Sequence, residues 1–230
     1  MVSMLPAILA SARIGGLLVL CDPARAERVV VFIDGQNAYM GAREEFGQLV
    51  SPSRFGQADP LALGRLITRR RCRPSRLAGV RVYRGLPDVS CQPQAHAAAK
   101  RQVEAQIERG AGLVTVVTRP LRYPRGWPSA PAEEKGIDVA LAVDFVTMAT
   151  SGDFDVGVIL STDSDLEPAL EAVARMRWQR GPRCEVAAWR APGSRRRRLS
   201  LPGWRLWCHW LDRNDFEVVR DDTDYNVGKP

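Results

Sequence analysis

The hydrophobic pattern of this chain is dominated by two short apolar runs, Val29 to Ile33 and Val156 to Leu160. Neither alternates with polar residues, so each predicts a central parallel strand covered on both faces. Val80 to Tyr83, Leu113 to Thr118 and Cys184 to Trp189 read as three further strands. The stretches between them carry helical spacing. One helix is expected through Tyr39 and Arg43, a second from Leu61, Leu63, Leu66 and Ile67, and a third over Gln94 to Arg109, stopped by Gly110 and Gly112. A fourth is expected from about Ala132 to Thr150, with Ile137, Leu141, Asp144 and Met148 on one stripe, and a fifth over Leu166 to Met176. Strands alternating with helices predict an α/β fold, a doubly wound and mainly parallel sheet of about five to six strands.

Acidic residues gather at the edges of these apolar segments. Asp34 ends the first strand, Asp163 and Asp165 follow the fourth, and Glu133, Glu134, Asp138 and Asp144 lie on the fourth helix. Ligands of an open α/β sheet sit outside the carboxyl ends of the strands, where Asp34, Asp163 and Asp165 are expected. A carboxylate ending a buried strand is costly to desolvate unless a partner offsets it, and a divalent cation is the usual partner. The clusters therefore suggest one metal site, and oxygen donors of this kind suit Mg2+.

Each acid also has a plainer reading. Asp34 can act as a turn residue or helix cap, Asp163 and Asp165 can cap the following helix, and Asp138 can pair with Lys135 or an arginine. Asp144 can bind metal through water, or hydrogen-bond to Asn37 or backbone. Glu133 and Glu134 can be accessory acids, but a first helical turn favours acids in any case.

Composition adds a partner to this picture. The 230 residues, 45% of them hydrophobic, can bury one sizeable core, and the net charge of +7 favours an acidic partner such as nucleic acid. Between Asp59 and Asp88 lie Arg65, Arg69, Arg70, Arg71, Arg73, Arg76, Arg81 and Arg84 with no acid among them, a footprint suited to phosphates. Arg195, Arg196, Arg197 and Arg198 form a second basic run, beside Trp189 and Trp204, whose rings could stack on unpaired bases. The plainer reading of both runs is solvated arginine loops.

The remaining composition mainly excludes. Five scattered cysteines without CxxC spacing argue for a reducing compartment, here read as cytoplasmic, and against a disulfide framework or zinc knuckle. His96 and His209 lie far apart, which argues against imidazole-based metal or triad chemistry. No membrane is expected as a partner, because no stretch approaches the roughly 20 apolar residues of a span. Residues 1–27 read as a poorly specified tail rather than a signal peptide, since Arg13 interrupts Leu5 to Leu20 although Ala24-Arg25-Ala26 has the look of a cleavage site.

Three blocks, in order, carry a resemblance: Phe32-Ile-Asp34-Gly-Gln-Asn37, Glu134-Lys135-Gly-Ile-Asp138 through Asp144, and Asp155 through Asp163-Ser-Asp165-Leu. They resemble the signature blocks of the NYN domain, the LabA-like branch of the PIN-like nucleases. Val219-Arg220-Asp-Asp-Thr-Asp-Tyr225 resembles the tail of bacterial members, so the domain is expected over 28–225, with 226–230 as a C-terminal tail. The resemblance implies a PIN-like, Rossmannoid sheet and a metal-dependent ribonuclease. It assigns Asp34, Asp138, Asp163 and Asp165 to catalysis and to Mg2+ or Mn2+, with Asn37 as a polar companion. Thr162 departs from the glycine many relatives have there, and a side chain at that point would narrow access to the metal.

RNA is thus the expected partner, held by Arg69, Arg70, Arg71 and Arg195 to Arg198, with a homo-oligomer left open. The rival reading is a catalytically silent RNA-binding or protein-interaction module with the same fold. A phosphatase or other small-molecule hydrolase is disfavoured by the extended basic surface.

Overall fold

The computed structural model describes residues 11–14, 17–20, 26–47, 52, 54–195 and 197–227. Ser11–Ile14 (β1) and Leu17–Leu20 (β2), from the stretch read as a tail, pair antiparallel in a ribbon of their own. Glu27–Asp34 (β3), Ser75–Leu86 (β4), Val114–Pro120 (β5), Val156–Leu160 (β6), Arg183–Trp189 (β7) and Trp207–Leu211 (β8) form one sheet, ordered β5-β4-β3-β6-β7-β8 with every pairing parallel. The chain builds outward from β3 through β4 to β5, then crosses back to lay β6, β7 and β8 on the other side. The strand order therefore reverses between β3 and β6, and a doubly wound sheet opens its ligand crevice at that switch point.

The apolar runs explain why β3 and β6 are central. Alternate residues of β3 feed two separate cores: Val29, Val31 and Ile33 on one face, Val30 and Phe32 on the other. All five residues of β6 are buried. Gly35–Glu45 (α1), Pro60–Arg69 (α2) and Arg213–Val219 (α6) pack on the first face through residues such as Ala42, Leu63, Ile67 and Phe216. Ile137–Thr150 (α4) and Glu167–Met176 (α5) cover the second through Leu141, Phe145, Leu170 and Val173. Pro93–Arg109 (α3) joins β4 to β5.

Three differences from the sequence reading have physical causes. The fourth helix starts at Ile137 rather than near Ala132, because Gly136 takes a left-handed φ of 71° and breaks the helical path. Its buried stripe is Ile137, Leu141, Phe145 and Ala149, which leaves Asp144 on the flank. Strand β8, with helix α6 behind it, adds a sixth member to the sheet. Its sequence, Trp-Cys-His-Trp-Leu, lacks the β-branched residues that mark the other strands.

Among the described residues the cysteines are unpaired, and burial pushes the Cys184 and Cys208 thiols up to about 12, so neither is a ready nucleophile. No helix among them is long and apolar enough to cross a membrane.

Candidate functional site

The β3/β6 switch point is built around Asp34, which is 8% exposed. One carboxylate oxygen accepts the Asn37 backbone N–H at 3.1 Å, so Asp34 caps α1. The other accepts the Ser161 hydroxyl at 3.0 Å. That same Ser161 oxygen accepts the backbone N–H of Asp163 at 3.0 Å. One buried hydroxyl thus ties the end of β3 to the turn after β6. Asn37 braces the turn from the other side, its side-chain oxygen accepting the N–H of Thr162 at 3.0 Å and its hydroxyl at 3.3 Å.

Of Asp163 and Asp165, either of which could cap the following helix, one does so. Asp163 is the cap, accepting the Asp165 N–H at 3.0 Å at the head of a 3-10 turn, Ser164–Leu166. The carboxylate of Asp165 extends from an exposed residue. Asp138 lies half-buried in the first turn of α4. Glu134 precedes that helix instead of riding on it, and its carboxylate accepts the Gly85 N–H at the end of β4 at 2.6 Å.

These acids share one electrostatic field. Burial raises the Asp34 carboxyl above the ordinary aspartate value, its two hydrogen bonds oppose the rise, and the charges of Asp163 and Asp138 add to it. Glu134 is raised in the same way, by burial first, with Asp34 and Asp138 adding to it. Arg84 opposes the rise at Glu134 by its charge, whereas Asp34 is opposed only by neutral hydrogen-bond donors.

Asp144 does not belong to this group. Its carboxylate takes the Arg81 guanidinium at 2.7 Å and the Tyr83 hydroxyl at 2.8 Å, fastening α4 to β4. The expected partners, Asn37 and backbone, are replaced because Asp144 faces the middle of β4 and not the end of β3.

The fit to a metal rests on donor chemistry. Among the described residues no three acidic, histidine or cysteine side chains stand together at ligand spacing. A hydrated Mg2+ or Mn2+ does not need such a cage: one or two carboxylates, waters and substrate phosphate suffice. Asp34 and Asp163, joined through Ser161, offer that set, with Asp138 and Glu134 adding charge.

The basic residues divide between the two ends of the sheet. Arg197 lies beside Asn37, Ser161 and Thr162 at the acidic end, with Glu44 at 3.6 Å. Arg195 is exposed nearby, Arg198 donates to the Leu206 carbonyl at 3.2 Å, and Arg196 lies outside the described residues. Arg69, Arg70 and Arg71 instead precede β4, whose first residues pair with the start of β3, so they stand at the opposite end.

Arg71 corrects the sequence expectation outright. Its side chain is 3% exposed and held between Glu27 at 2.9 Å and Glu185 at 3.0 Å, leaving no face for a phosphate. Arg70 pairs with Asp215, while Arg69 remains exposed. Trp189 is likewise no stacking platform, being 7% exposed and donating its indole N–H to the Ala38 carbonyl. Trp204 stacks on Trp178 at 5.2 Å.

Ser161 is the residue that sequence reasoning passed over. Its signal was present: a small hydroxyl immediately after five buried residues and two before an acid, where only a polar group with fixed partners can be buried.

No curated protein matches the chain. Among solved structures, one of a protein of unknown function from Vibrio parahaemolyticus is similar, with 18% identity over 73% of this chain and 83% of that chain and a TM-score of 0.44. The profile of the NYN domain matches residues 28–196, from the first residues of β3 to the loop after β7, and so spans Asp34, Glu134, Asp138, Asn37 and Asp163: the chain belongs to the NYN domain family.

Proposed function

We propose that the protein is a metal-dependent ribonuclease, hydrolysing RNA phosphodiester bonds at the β3/β6 switch point with Mg2+ or Mn2+. Membership of a family within the PIN-like nucleases supports the class of activity. The observation that carries the reading is the gathering of Asp34, Asp163, Asp138 and Glu134 at the switch point, where burial raises the Asp34 and Glu134 carboxyls and the neighbouring acids add to the rise. Arg84 offsets Glu134 in part, but Asp34 is buried with neutral partners alone, and a buried carboxylate of that kind is costly unless a cation completes it.

Asp34 and Asp163 would hold the cation, with Asp138 and Asp165 as further oxygen donors. A bound divalent ion supplies Lewis acidity toward the scissile phosphate and a more acidic water. Ser161 spends its one proton on Asp34, which fixes the direction in which that carboxylate presents its remaining lone pairs. Asn37 keeps Thr162 and hence the Asp163 turn from swinging. Glu134 holds the Gly85 N–H with one oxygen, and its raised pKa suits it to take or return a proton during hydrolysis.

The test is cleavage of labelled single-stranded RNA by the purified chain with Mg2+, Mn2+ or EDTA, beside D34N and D163N. Metal-dependent cleavage lost by at least 100-fold in both variants is expected. Cleavage that ignores EDTA, or survives both substitutions, overturns the mechanism; RNA binding without cleavage by the unmodified protein establishes the silent module in its place.

A further inference from the structure

The acidic site shares a wall with a second feature that none of its residues explains. A cavity of about 510 Å³ opens where β3 and β4 end, between α2, α3 and the C-terminal segment. Its size lies within the range of pockets that bury small ligands, roughly 300–1,000 Å³. Glu134 lines it and also sits in the field of Asp34, so cavity and acids are adjacent. Its roominess is written into α3, where Ala95, Ala98 and Ala99 face it.

Two polar groups in this wall have hydrogen-bonding capacity that the protein does not use up. Arg84 is half-buried at the end of β4, and among the described residues no carboxylate forms an ion pair with its guanidinium. It donates to the Gln102 side-chain oxygen at 2.5 Å, and burial pushes it below the ordinary arginine value. Gln106, 5% exposed and also in the wall, has a side-chain oxygen with no donor. Glu134 acts on that guanidinium by charge without a direct ion pair, which leaves Arg84 donors free for a ligand. An amide oxygen without an N–H is costly to bury and needs an explanation.

We propose that this cavity receives one unpaired nucleotide of the substrate strand, Arg84 taking its phosphate and the Gln106 side-chain oxygen accepting an N–H from its base. The chemistry matches part by part. A planar guanidinium is the usual partner of a phosphate, an amide oxygen accepts from a base edge, and the apolar floor of Ile33, Leu63 and Val82 suits the face of a base. The inference rests on the nuclease reading for its choice of ligand, but binding in the cavity needs neither metal nor catalysis.

Calorimetry in EDTA on the full chain carrying D34N separates the two. The probes are the four nucleoside 5′-monophosphates, the matching nucleosides and inorganic phosphate. At least one monophosphate is expected to bind tenfold or more tightly than its nucleoside or phosphate. R84M should weaken that binding at least tenfold, and Q106L should weaken it with loss of preference among bases. A98F, which narrows the cavity without touching either polar group, should abolish binding while circular dichroism shows the fold intact. Absence of binding by every monophosphate, equal binding of inorganic phosphate, or full binding by A98F each overturns the assignment. Metal-dependent RNA cleavage with a KM unchanged by A98F likewise overturns the cavity and leaves the nuclease standing. Monophosphate binding that R84M and A98F remove, in a protein that cuts no RNA, supports the cavity and sinks the nuclease.

Discussion

The two ends of the parallel sheet hold similar charged side chains and treat them in opposite ways. At the amino ends, Arg71 sits between Glu27 and Glu185, Glu185 also receives His209 at 2.8 Å, and Arg183 joins Glu27. Burial alone would raise the Glu185 carboxyl, but hydrogen bonds from His209 and Arg71 outweigh it and hold it below the ordinary range. At the carboxyl ends, Asp34 is also buried and also hydrogen-bonded, yet its partners are a backbone N–H and a hydroxyl, both neutral, and its carboxyl is raised. Burial is common to both ends; compensation by opposite charge is not. A charge matched inside the protein is a structural element, whereas one left unmatched at a switch point is available to a ligand.

The contrast can be broken first at the compensated end. Arg71→Met leaves Glu27 to Arg183 alone and Glu185 to His209 alone, and removing one partner of a buried pair costs roughly 3–5 kcal/mol. A fall in Tm on the order of 10 °C by calorimetry is expected, with RNA affinity unchanged below the transition. Weakened RNA binding by the folded variant would return Arg71 to the phosphate-binding set.

The opposite sign is expected at the other end. A raised Asp34 carboxyl means that its protonated form stabilises the fold; that contribution is complete below the ordinary aspartate pKa and is lost as pH rises through the raised value. At neutral pH in EDTA, D34N should therefore raise Tm, by roughly 2–4 °C if about 1 kcal/mol is relieved. Added Mg2+ should stabilise the unmodified protein and not the variant. A lower Tm for D34N in EDTA would show that the charge is already compensated.

The same shift fixes a pH dependence. Metal binding needs ionised Asp34, so at metal concentrations well below saturation cleavage should decline on the acid side at a pH above the value of about 3.9 at which an ordinary aspartate titrates. A pH–rate profile that stays flat down to that value would remove Asp34 from the metal. The smallest effect concerns surface arginines. Arg197→Ala should lower RNA affinity a few-fold and reduce the salt slope by about 0.7, the value for one contact to a single strand. Arg69→Ala, at the far end, should change neither.

Much of this was legible in the sequence, for reasons tied to particular residues. Val29 to Ile33 and Val156 to Leu160 announce buried central strands because they are short, rich in β-branched residues and without polar alternation, and Asp34 and Asp163 follow from where those runs stop. What stayed hidden depends on contacts distant in sequence. Strand β4 runs over Ser75–Leu86, far beyond Val80 to Tyr83, because Arg76, Arg81 and Arg84 interrupt its apolar pattern while their partners, among them Asp144 and Gln102, come from elsewhere. The arginine cluster looked like one surface because spacing cannot tell the start of a strand from its end, and Arg71 turned inward only because Glu27 and Glu185 meet it there.

The salt-bridged end has a mechanical consequence. Glu27 belongs to β3 and Glu185 to β7, strands separated by β6, so Arg71 acts as a tie-rod across a strand it does not belong to. Load applied to shear β3 against β7 would pass through that guanidinium as well as through the ladders of β6. The sheet is thereby stiffened by charge at the end remote from the site, while the turns bearing Asp34 and Asp163 are held by the neutral hydrogen bonds of Ser161 and Asn37.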